Sequence, residues 1–154
     1  MIVLIINRLV VLLTAGLFLH GNAWASEEGT KDPKTIRVKP IPMESAKTII
    51  GQDFVYPTGT PQIQVFEIEI PPGQQTTLHR HAIPLFAYIA SGDLELDYGS
   101  KGKKIVRSGT SFVEAINWCH FGKPLGDQSV RIIAVYLGQK NPDLAISEDC
   151  IKPD

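Results

Sequence analysis

Residues 73–92 read GQQTTLHRHAIPLFAYIASG. His79 and His81 are separated by one residue at the head of an apolar run. On an extended strand, residues i and i+2 project from one face, so the two imidazoles stand side by side while Arg80 points away. Two imidazoles on one face are half of a site for zinc, iron, copper or nickel, and the remaining ligands select among them. Leu85 and Phe86 come next, where a third polar ligand would be expected.

Working outward, strands dominate. Gln62–Ile70 (QIQVFEIEI) alternates without helical spacing and is ended by Pro71-Pro72-Gly73. LFAYIASGDLELDYG reads as two strands about Ser91-Gly92-Asp93, and KKIVRSGTSFVEA as two more about Ser108-Gly109. Ser129–Gly138 (SVRIIAVYLG) is rich in β-branched and aromatic residues and ends at Gly. No helix of three turns is expected after residue 25, and Met43–Ile50 (MESAKTII) reads as a helical turn or an edge strand. Many short strands between Gly and Pro predict an all-β antiparallel sandwich or barrel.

The third candidate ligand is His120, at the end of SFVEAINWCH. By strand parity it shares a face with Trp118 and opposes Cys119. Glu114 has the parity of His120 and could serve as a substitute carboxylate, but it lies six residues away, distant along a straight strand rising about 3.3 Å per residue. Gln75 shares the parity of His79 and is expected to line the site as an amide. Trp118, Phe86, Tyr88 and Phe112 are aromatic candidates for the cavity wall. No general base stands beside the histidines in this reading, which counts against proton-transfer chemistry.

Composition narrows the classes. Residues 1–25 carry one charge, Arg8, an apolar run from Leu9 to Leu19, and the small-x-small triplet Ala23-Trp24-Ala25, and are expected to be a signal peptide cut after Ala25. The protein would then be periplasmic or secreted, with no stable membrane span after cleavage. Residues 26–34 (SEEGTKDPK) read as a flexible lead-in and residues 35–154 as one barrel domain. Of 15 Lys+Arg only Arg8 precedes Ser26, against 16 Asp+Glu that all come after it, so the remaining chain has no basic excess for nucleic acid. The Lys101, Lys103, Lys104 cluster reads as a solvated hairpin tip. Cys119 and Cys150 match no zinc ribbon or redox motif. In an oxidising compartment an outward Cys119 could pair with Cys150 on the tail; two unpaired thiols are the alternative.

These residues resemble the cupins. The first cupin motif, G(x)5HxH(x)3-4E(x)6G, falls on Gly73, His79, His81 and Gly92 with intervals intact, and Leu85 stands where the Glu belongs. The second, G(x)5PxG(x)2H(x)3N, falls on Gly109, Ala115, Asn117, His120 and Pro124, sixteen residues after the first. Asn117 replaces a turn Gly, which Asn tolerates best among non-glycine residues. The resemblance implies an antiparallel double-stranded β-helix, the jelly-roll barrel, with His79, His81 and His120 as ligands of a divalent metal. Iron(II) is expected first, with zinc, manganese or nickel as alternatives, and a small-molecule ligand or substrate as partner; a homodimer is a further possibility. Cupins lacking the Glu include thiol dioxygenases and a diketone-cleaving dioxygenase with three-histidine iron sites. The function this implies is an iron-dependent dioxygenase acting on a small organic substrate; the alternative is a non-catalytic binding or sensing cupin, with or without metal.

Overall fold

The β-branched run after Ser129 becomes a strand at the middle of a sheet. In the computed structural model, which describes residues 35–43, 46–140 and 142–150, β7 (Val130–Gln139) lies between β1 (Pro61–Ile70) and β2 (Leu85–Ser91). The short β5 (Ser111–Val113) pairs with the other side of β2, and every pairing is antiparallel. A second sheet places β3 (Leu94–Asp97) between β4 (Lys103–Val106) and β6 (Phe121–Pro124). The expected leader at 1–25 and lead-in at 26–34 lie outside the described residues. By its contacts the chain divides after Arg37, and the barrel belongs wholly to the unit from Val38 onward.

Alternation assigns the faces. Along β2, Leu85, Ala87 and Ile89 are buried while Phe86 and Tyr88 are half-buried on the other face. Leu94 and Leu96 of β3, Val130, Ile132, Ala134 and Tyr136 of β7, and Ile70 and Phe112 complete an interior drawn from both sheets. The fold is thus the expected all-β antiparallel barrel of jelly-roll type. Among the described residues the helical content is one 3-10 turn, Gly99–Lys101, and no helix is long and apolar enough to cross a membrane.

Two segments differ from the sequence reading. β6 carries Gly122 and Pro124, which mask its strand signal; as the edge of its sheet it tolerates a residue without an N–H. In Met43–Ile50, of which 44 and 45 are not described, Met43 makes a parallel bridge to Ser111 and Thr48 begins a turn in which Gly51 N–H donates to the Thr48 carbonyl at 2.7 Å.

The tail from 142 to 150 returns to the barrel. Ile146 and Arg80 exchange backbone hydrogen bonds at 2.9 Å each, Arg80 Nη2 meets Asp149 Oδ2 at 2.9 Å, and a disulfide joins Cys119 to Cys150 with Cα atoms 5.6 Å apart. Cys119 therefore faces away from the His120 side chain, as parity requires.

Candidate metal centre

Residues 73–78 are not a strand, and the His pair sits instead on three isolated bridges. His79 and His120 exchange backbone hydrogen bonds at 3.0 and 2.8 Å. The His81 carbonyl accepts from Asn117 N–H at 2.7 Å. Asn117 has φ +51°, the left-handed conformation that the motif's Gly would supply, and its Oδ1 accepts from Arg80 Nη1 at 2.9 Å. The turn survives its substitution because the neighbouring arginine holds the asparagine in place.

This scaffold brings all three candidate histidines together. Their ligand atoms lie within 4.8 Å of one another, with ring centroids 4.6 to 5.3 Å apart. Each ring is oriented by a backbone carbonyl: His79 Nδ1 by Thr77 at 2.7 Å, His81 Nδ1 by Leu144 at 2.5 Å, His120 Nδ1 by Trp118 at 2.9 Å. A carbonyl only accepts, so each Nδ1 carries the proton and each neutral ring keeps a lone pair on Nε2. That is the tautomer and the orienting contact that histidine ligands of metals use. Burial pushes His81 and His120 down to about 4, so both are neutral and ready to ligate at neutral pH.

The rings open into a cavity of about 60 Å3, lined by Ile68, Leu85, Leu94, Phe112 and Ile132 among other aliphatic groups, with Thr76, Glu114 and Tyr136 as its other polar members. A divalent cation fits this donor set: three imidazole nitrogens, fixed from behind, in a mostly aliphatic pocket.

Glu114 corrects the straight-strand expectation. β5 ends at Val113 and the chain reverses at Asn117, which brings the buried Glu114 Oε2 to 3.4 Å from His120 Nε2. Its Oε1 accepts from the Tyr98 hydroxyl and, at 2.7 Å, from Ala115 N–H. Burial raises the Glu114 carboxyl, with the Tyr98 hydrogen bond opposing, and burial also keeps the Tyr98 phenol protonated as a donor.

Other expectations separate cleanly. Phe112 lines the cavity, whereas Phe86 and Tyr88 face away and Trp118 packs at the core's margin, donating Nε1–H to the Tyr98 carbonyl at 2.9 Å. Gln75 is exposed, because parity has no meaning where there is no strand. Thr76 takes the inward place, its Oγ1 accepting from Gly122 N–H at 2.9 Å. Tyr98 and Tyr136 were missed although each continues an inward alternation, Leu94-Leu96-Tyr98 and Ile132-Ala134-Tyr136.

Both motif segments thus meet inside one antiparallel barrel, their histidines on a common cavity. The barrel has the fold that the resemblance to the cupins implies. No protein-family model matches it, and no curated protein matches it by sequence. Among solved structures it is similar to the polyketide cyclase RemF from Streptomyces resistomycificus, at 18% identity over 62% of this chain and 64% of that one, TM-score 0.49. It is also similar to a cupin-like protein from Thermotoga maritima, at 18% identity over 56% and 68%, TM-score 0.47. A third is oxalate decarboxylase from Lactobacillus farciminis, at 21% over 56% and 27%, TM-score 0.48. The chain spans less than two thirds of the cyclase and about a quarter of the decarboxylase, and no reaction is carried over from either.

Proposed function

We propose that this chain holds one divalent ion through His79, His81 and His120 and acts on a small organic molecule bound against it, with iron(II) and dioxygen as reactants. The observation that carries this reading is the set of three carbonyl-tied rings with Nε2 lone pairs turned into one aliphatic cavity. An ion bound there supplies Lewis acidity and, as iron(II), an open position for dioxygen.

The rest falls to the chain itself. Ile68, Leu94 and Ile132 wall the cavity with hydrocarbon, and a cavity of this size admits a molecule of only a few heavy atoms. His79 is the half-buried member of the three, which puts the approach on its side; His81 and His120 are buried.

Nitric oxide serves as a stand-in for dioxygen in the test. Protein loaded with iron(II) under anaerobic conditions should bind it with a new visible absorption band. Loaded protein giving no such band would lack the open position, and the non-catalytic binding role would replace this reading.

A further inference from the structure

Leu85 leaves the first motif without its carboxylate, yet a carboxylate is present next door. Phe86 pairs with Val113 across β2 and β5, and the next step along that ladder sets Leu85 beside Glu114, whose N–H donates to the Leu85 carbonyl at 2.9 Å. Both side chains are buried and both line the cavity.

The contact between Glu114 and His120 needs a third party. His120 has its Nδ1 proton committed to the Trp118 carbonyl, so the neutral ring presents only a lone pair at Nε2. Glu114 Oε2, 3.4 Å away, presents lone pairs too, while Oε1 is already held by Tyr98 and Ala115. Two buried acceptors facing one another call for a proton or a cation between them. Two ligands bonded at about 2.1 Å to one ion stand about 3.0–3.4 Å apart, so the 3.4 Å spacing suits a shared cation.

We propose that Glu114 is the fourth ligand of the centre, a carboxylate moved from β2 to the end of β5. This rests on the three-histidine metal reading and completes its ligand set with an anionic oxygen. Tyr98 and the Ala115 N–H fix the carboxylate through Oε1 and leave Oε2 for the ion. An anionic oxygen ligand favours manganese(II) and iron(II) more than it favours zinc(II), which is content with nitrogen.

The test compares manganese(II) and zinc(II) titrations of the full chain and of Glu114→Gln. The glutamine keeps an acceptor for Tyr98 and Ala115, and a thermal melt of the metal-free variant checks that it folds. Manganese(II) affinity should fall at least tenfold in Glu114→Gln, and by more than zinc(II) affinity does. Unchanged manganese(II) affinity would overturn the proposal, as would an equal loss for both ions, which would mean that the carboxamide merely blocks His120. If the unaltered protein takes up neither ion, the metal reading fails and this proposal with it; if Glu114→Gln matches the unaltered protein while His81→Ala binds nothing, this proposal alone fails.

Discussion

Gly92→Ala should destabilise the barrel by about 3 kcal/mol or more. Gly92 has φ +71°, and a Cβ there would lie 2.4 Å from the Ser129 carbonyl oxygen and 3.0 Å from Val130 Cα. Both atoms are backbone at the head of β7, so neither can swing aside. The left-handed conformation alone costs a residue with a Cβ about 1–2 kcal/mol, and forced overpacking adds about 1–3 kcal/mol. Gly109 is the internal control: its φ is +81°, but a Cβ would meet nothing within 4 Å. Urea unfolding of both alanine variants separates the two contributions. Gly109→Ala should lose only the conformational part, and equal losses in the two variants would show that the close approach at Gly92 does not matter.

Cutting the tail loose should damage both stability and the metal centre. The Cys119–Cys150 disulfide joins residues 31 apart in sequence, a loop size for which removal costs about 2–4 kcal/mol. The same tail supplies the Leu144 carbonyl that orients His81 and the Ile146 backbone that bridges to Arg80. Loss of such an orienting contact commonly weakens metal binding by about 10- to 100-fold. The double variant Cys119→Ser, Cys150→Ser should therefore bind zinc(II) at least tenfold more weakly while still folding at room temperature. Full affinity in the double variant would mean that the tail stays docked without its staple, through Arg80 and Ile146 alone.

The features legible in the sequence were those that depend on local periodicity. His79 and His81 share a side, Cys119 opposes His120, and the strands at 62–70, 85–91 and 129–138 arise from alternation that one residue's neighbours decide. His120 was reachable through the motif interval, which encodes a barrel's worth of geometry in one spacing. Glu114 could be named from its parity as a substitute carboxylate but not brought near, because its approach to His120 depends on the chain reversing at Asn117 rather than running straight, and an Asn at φ +51° leaves little trace in a pattern of polarity. Gln75 and Thr76 exchanged roles for a related reason: residues 73–78 carry no regular structure on which to count parity. The Leu144 carbonyl was out of reach altogether, since a backbone acceptor has no residue type to announce it.

Whether His79, His81 and His120 ligate one ion can be decided by X-ray absorption at the metal edge. Protein loaded with one equivalent of zinc(II) should show the multiple scattering of three imidazoles, with Zn–N distances of about 2.0–2.1 Å. His120→Ala should remove one of them. A spectrum with fewer than two imidazoles, or one that His120→Ala leaves unchanged, would rule out the three-histidine centre.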